Sequence, residues 1–197
     1  NSTTSFVVTN DVVTVFDFQP GYCLNSPNPF PSITTLVPGS FSINPSLNIS
    51  VSATTGEVFL QPNTPAGTYT VSFVATGACS DTTTDIFSLY APPAVDFQID
   101  SAACDLQGTL AATNMVPIGF AGAYSWSSPV PGAIVFASPG VVDLTLSSPG
   151  GPHPVQAAYT DNTTGCIGYA THELTVIDVL PVTVTYPGST FCQTAQN

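Results

Sequence analysis

The chain has 197 residues, with 12 Asp and Glu, no Lys, no Arg and a formal net charge of −12. Its charged fraction of 6% stands against roughly 25% in an ordinary soluble domain, and its hydrophobic fraction of 43% fills cores and excludes wholesale disorder. With no basic side chain there is no phosphate clamp, no charge-driven nucleic-acid binding and no attraction to anionic lipid.

Taken in chain order, residues 1–11 read as the closing strand of a preceding domain. They carry neither a basic n-region nor a cleavage motif, so they do not read as a signal peptide. No stretch approaches the roughly 20 apolar residues that span a bilayer, so direct membrane insertion is not expected. Residues 12–93 read as a first β-domain. Within it Thr68–Phe73 alternates, placing Tyr69, Val71 and Phe73 on one face and hydroxyl residues on the other. Turn signals at Thr55-Gly56 and Pro65-Ala66-Gly67 separate short strands.

A proline junction at Pro92-Pro93 leads into a second domain, residues 94–181. There Val142, Leu144 and Leu146 alternate, and turns are expected at Pro131-Gly132 and across Pro149–Pro152. Trp126 reads as a core residue beside a disulfide. Residues 182–197 read as the start of a further repeat. No segment has a helical period. Short strands, frequent turns and units of this size predict an all-β chain of tandem antiparallel immunoglobulin-like sandwiches, with one disulfide inside each.

The clearest internal match runs from one end of the sequence to the other. Val13-Thr14-Val15, Tyr22-Cys23 and Asn28 recur as Val182-Thr183-Val184, Phe191-Cys192 and Asn197, and Val7-Val8 falls on Val176-Ile177, always 169 residues apart. A second echo divides that period. Cys79 and Cys166 each stand before a closing strand, and Cys104 and Cys192 each follow a proline junction.

Five cysteines point to an oxidising compartment. Taking one pair per domain gives Cys23–Cys79 and Cys104–Cys166, each expected to stabilise by roughly 4 kcal/mol. Cys192 is then unpaired within this segment. No Cys-x-x-Cys or His-x-Cys spacing suggests zinc.

Chemistry is sparse. His153 and His172 are the only histidines, and no GxSxG, SxxK or HExxH motif accompanies them. Two Glu, one per predicted domain, make no glycosidase pair. Asp11, Asp17, Asp96, Asp100, Asp105 and Asp178 border the junctions and raise the question of shared calcium, but no dense Asp-Asn run is present. The expectation is a non-enzyme without cofactor or metal.

Phe191–Asn197, Gly39–Ser42, Ser52–Val58 and Pro65–Val71 resemble the repeats of very large surface adhesins of Bacteroidota. That group includes gliding-motility adhesins exported by type IX secretion. The resemblance covers the first domain and the start of the third. The second departs from it and looks more like a PKD-type sandwich. It implies a non-catalytic role at the cell surface in a long filament. Neighbouring repeats would be the partners, with surface glycans or proteins as further candidates. Through the resemblance alone, Asp81-Thr82-Thr83 and Asp100-Ser101-Ala102 fit the O-glycosylation pattern of exported proteins of that group, with Thr82 and Ser101 as acceptors. Sequons at Asn1, Asn48 and Asn162 matter only in a host with N-glycosylation.

Overall fold

A computed structural model describes residues 13–76, 80–117, 122–180 and 183–184. The expected strand at 1–11 and most of 182–197, including Cys192, lie outside the described residues, as does Cys79. Seventeen strands follow one another with no α-helix among the described residues. The first eight are β1 (Val15–Asp17), β2 (Gly21–Cys23), β3 (Ser32–Thr35), β4 (Gly39–Asn44), β5 (Ile49–Val51), β6 (Val58–Leu60), β7 (Gly67–Ala75) and β8 (Thr82–Tyr90). Then come β9 (Asp96–Gln98), β10 (Ala102–Cys104), a 3-10 turn at Asp105–Gln107, β11 (Thr109–Ala111) and β12 (Thr113–Val116). The last are β13 (Gly122–Ser127), β14 (Val135–Ser138), β15 (Val141–Asp143), β16 (Gly150–Asp161) and β17 (Ile167–Ile177).

The residues gather into two compact units. The first holds the described residues up to Asp96 with Val116–Ser125 and Ala158–Tyr169; the second holds Phe97–Met115, Trp126–Ala157 and those from Ala170 on.

In the first unit a four-stranded sheet runs β2-β8-β7-β4, accompanied by the ribbons β1-β3 and β5-β6. Tyr69, Val71 and Phe73 of β7 are buried, as their alternation predicts. They meet Phe16 of β1, Phe41 of β4, Ile49 of β5, Val58 of β6 and Phe87 of β8 in one cluster, so the core lies between the sheet and the two ribbons. Edge-on aromatic contacts recur there: Phe16 on Phe41 at 5.2 Å and Phe41 on Phe73 at 4.7 Å between ring centres. Gly39 lets β4 pass close to β7, because a Cβ there would sit 2.4 Å from the Val74 carbonyl oxygen.

The strand order β10-β17-β16-β13 repeats that of β2-β8-β7-β4, and the smaller sheets β11-β15-β14 and β12-β9 accompany it. The second unit's buried apolar residues include Phe97, Val142, Leu144, Val155, Leu174 and Val176. The protein is therefore an all-β immunoglobulin-like chain, with two corrections to the expected pattern.

The sheets are not wholly antiparallel. The short strand β2 runs parallel to β8, the last strand of its sheet, and β10 runs parallel to β17. Such a pair leaves no mark on side-chain alternation, which reports faces and not strand direction. The disulfide pattern also differs. The one bond among the described residues joins Cys23 to Cys166, not one pair inside each predicted domain.

Two local expectations change as well. Leu146 is 66% exposed, because β15 stops at Asp143. The Asp143 carboxylate accepts hydrogen bonds from the Thr145 and Leu146 backbone N–H groups at 3.0 and 3.2 Å. An aspartate that captures the next two amides makes a turn, and the alternation Val142-Leu144-Leu146 runs into it. The glycines expected in a turn at 149–152 instead open β16.

Candidate functional site

The residues considered for catalysis or metal binding do not converge. His172 lies in β17 with its ring 4.6 Å from Phe97, and His153 lies in β16 with Nε2 3.0 Å from the Ser148 carbonyl oxygen. Asp105 accepts from the Val179 backbone N–H at 3.3 Å. Among the described residues no group of three His, Cys, Asp or Glu side chains is placed to hold a metal ion. Asp85, which did not stand out in the sequence, accepts from the Phe18 N–H at 2.6 Å and ties the segment after β1 to β8.

The cysteines carry the most definite geometry. In the parallel pair β2–β8, Cys23 stands opposite Tyr90, the last residue of β8. Leu24 donates to the Tyr90 carbonyl at 2.9 Å, and the Ser26 hydroxyl donates to the Cys23 carbonyl at 2.6 Å, fixing the chain as it leaves β2. Cys166 sits just before β17, in a turn built on Asp161. The Asp161 carboxylate accepts from the Thr163 N–H at 2.8 Å and the Thr164 hydroxyl at 3.1 Å. The Asp161 N–H donates to the Cys166 carbonyl at 2.9 Å, with Gly165 at φ 73° closing the turn. The Cα atoms of Cys23 and Cys166 lie 5.6 Å apart, and both residues belong to the first unit. Beside the bond the Asn25 side-chain amide donates to the Ile167 carbonyl at 2.9 Å.

Strand geometry explains why the expected pairs do not form. A bridge needs Cα atoms within about 7 Å. Cys23 stands at the Tyr90 end of β8, and the nine residues of β8 separate that end from Thr82 by roughly 26 Å. The expected partner Cys79 precedes Thr82 by three residues and lies outside the described residues. In the same way Cys104 stands opposite Ile177, the last residue of β17, whereas Cys166 precedes the first. The eleven residues of β17 span roughly 33 Å. Cys104 is a half-buried free thiol.

The aromatic residues considered as binding contacts divide. Trp126 is half-buried, edge-on to Phe97 at 4.9 Å and 6.3 Å from Phe136, so it is a packing residue whose neighbours are rings and not a disulfide. Tyr124 lies 5.0 Å from Tyr159, and burial first, then the neighbouring Tyr159, pushes its hydroxyl pKa up. Phe30 is 59% exposed. In the second unit a shallow hollow of about 380 Å³ is lined by Gln98, Asp100, Thr113 and His172 among others. In the first, Pro93, Val116, Pro117 and Tyr159 line a more apolar one of about 350 Å³. The candidate acceptors Thr82 and Ser101 are both exposed, and the Asp81 carboxylate accepts from the Thr82 N–H at 2.7 Å.

The two turn aspartates give the chain its acid sensitivity. The Thr145 hydroxyl above all, with the Leu146 and Thr145 amides, holds Asp143 below its ordinary pKa of 3.8; the Thr163 amide leads the same effect on Asp161. A depressed folded-state value means stability present above the unfolded pKa and lost as pH falls through the folded one. The melting temperature is therefore expected to hold from pH 7 to about 5 and to decline below about 4, where carboxylates protonate. Asp143→Asn should flatten part of that decline. Moderate NaCl should leave the midpoint unchanged or raise it, since no Lys or Arg forms ion pairs and salt screens carboxylate repulsion. Thermal melts across pH and salt check both.

Neither a protein-family model nor a curated protein sequence matches the chain. Among solved structures it is similar to the extracellular cadherin domains 3–6 of protocadherin gamma B2, at 16% identity and TM-score 0.35, over 88% of this chain and 53% of that one. It is also similar to Drosophila OTK extracellular domains 3–5, at 10% identity and TM-score 0.37, over 86% and 62%. Sidekick-1 immunoglobulin domains 1–4 align at 13% identity and TM-score 0.32, over 83% and 48%. The chain thus spans about half the length of the protocadherin and Sidekick-1 fragments. The immunoglobulin-like assignment rests on the strand order described above.

Proposed function

We propose that this chain is a non-catalytic structural segment of a long extracellular fibre or adhesin stalk built from tandem β-sandwiches. The observation that carries the reading is the repetition of one strand order, β2-β8-β7-β4 and β10-β17-β16-β13, each with its short parallel strand at the edge. The 169-residue offset within the sequence extends that repetition. In such arrays each unit chiefly contacts its neighbours, and length follows from copy number. A disulfide supports an oxidising, extracellular setting. No described helix is long and apolar enough to cross a membrane.

The domain limits 12–93 and 94–181 belong to this reading. So do a Bacteroidota cell-surface origin, gliding motility and type IX secretion, which rest on the sequence resemblance, and glycans on Thr82 and Ser101. Mass measurement of the native denatured polypeptide tests the array. A chain many repeats long is expected, and one no longer than about 250 residues would contradict it.

The second reading is a glycan- or protein-binding module, favoured by the exposure of Phe30. A glycan array that responds to the chain and loses the response on Phe30→Ala, with melting unchanged, would promote it. Trp126 is the poorer probe because it packs on Phe97. In a third reading the chain is a filament subunit that polymerises by strand exchange through residues 1–9 and 182–197. In that case the native denatured chain would be short while the native assembly is long.

A further inference from the structure

The two parallel edge strands are equivalent to the residue. Cys23 ends β2 opposite Tyr90, which ends β8; Cys104 ends β10 opposite Ile177, which ends β17. The equivalence reaches the preceding strand. Phe16 is the buried centre of β1 and Phe97 of β9, and Phe16 to Cys23 and Phe97 to Cys104 are the same seven-residue step. At the first of these positions the cysteine is bonded. Its partner, Cys166, stands immediately before the closing strand of the next set of strands, not of its own. The distances along β8 and β17 given above forbid the bond within one set.

We infer that this is a register that repeats, in which each edge-strand cysteine bonds the cysteine before the closing strand of the following repeat. Cys104 is then the next donor in the series. Its partner is the thiol at the Cys79 position of the repeat that comes after, because the 169-residue period makes that repeat a counterpart of residues 13–181. Each bond forms by exchange with a disulfide oxidant such as oxidised glutathione. Two protein thiols lose their protons and two electrons, one protein disulfide forms, and glutathione disulfide leaves as two reduced thiols. The inference rests on the array reading, and it turns a string of sandwiches into one with a covalent staple at every step. It also gives all five cysteines one rule. Cys192 lies 169 residues from Cys23 and takes the same edge-strand role.

The test lengthens the full chain by one repeat, appending a second copy of residues 29–181 after Asn197, which continues the period in register. Air-free alkylation, pepsin digestion and mass spectrometry then map the bonds formed in a glutathione redox buffer. The expected result has three bonds: Cys23–Cys166 in the first copy, Cys104 to the appended Cys79, and Cys192 to the appended Cys166. Alkylation of Cys104, complete in the 197-residue chain, should be lost in the longer one. In the Cys104→Ser variant the appended Cys79 should become alkylatable while Cys23–Cys166 stays intact. A folded, elongated chain in which Cys104 remains alkylatable, or bonds a cysteine of its own repeat, would overturn the rule and leave the array reading standing. Loss of the elongated form would count against the array itself.

Discussion

Breaking the Cys23–Cys166 bond is expected to cost roughly 5 kcal/mol, the largest single loss available in this chain. The bond closes a loop with a sequence separation of 143, and in the chain-entropy description the stabilisation grows with the logarithm of that length. A bond within one predicted domain would have closed less than half as much chain. Cys23→Ser, Cys166→Ser and the double variant should lose the same amount, because each removes the same crosslink. Reductant should reproduce the loss in the parent and do nothing further to the variants. Cys104→Ser should leave stability nearly unchanged, since that thiol is unpaired in the chain. Urea unfolding with and without reductant reads all of these.

Phe97→Ala should come next, at about 3–5 kcal/mol. The side chain is fully buried and holds two rings edge-on, Trp126 at 4.9 Å and His172 at 4.6 Å. Truncation leaves a cavity and removes both aromatic contacts, which add about 0.5–1.5 kcal/mol each beyond burial. Phe97→Leu fills most of the volume and should cost less than half as much. Phe16→Ala, at the equivalent place in β1, should approach the same loss through its contacts with Phe18 and Phe41. The urea midpoint measures each, and an unchanged midpoint for Phe97→Ala would remove Phe97 from the core.

What could be read from sequence was what local alternation encodes. The face of β7 is visible because Tyr69, Val71 and Phe73 alternate with Thr and Ser along an uninterrupted strand. The same logic misplaced Leu146, because the Asp143 side chain redirects the backbone and alternation cannot register a captured amide. The disulfide partner was not legible at all. Spacing along the chain says that two cysteines border a closing strand but not which end of it they border, and ends roughly 30 Å apart decide the pairing. Phe97 was missed although a signal existed: the seven-residue step from Phe to Cys occurs at Phe16–Cys23 and again at Phe97–Cys104. That spacing aligns the two edge strands more closely than the echo between the cysteines alone. Trp126 drew notice as the only Trp, yet it is the buried Phe97 beneath it that organises the rings.

The most direct test of the repeating register is the disulfide map of the 197-residue chain itself, taken without reductant. With no Lys or Arg, trypsin has no site, so pepsin with acid quenching is the suitable digestion. Mass spectrometry is predicted to recover one dominant crosslinked pair joining the peptide around Cys23 to the peptide around Cys166, with Cys104 recovered alkylated. Recovery instead of Cys23 linked to Cys79 together with Cys104 linked to Cys166 would contradict the account, returning each bond to a single domain and removing the basis for a staple that passes from one repeat to the next.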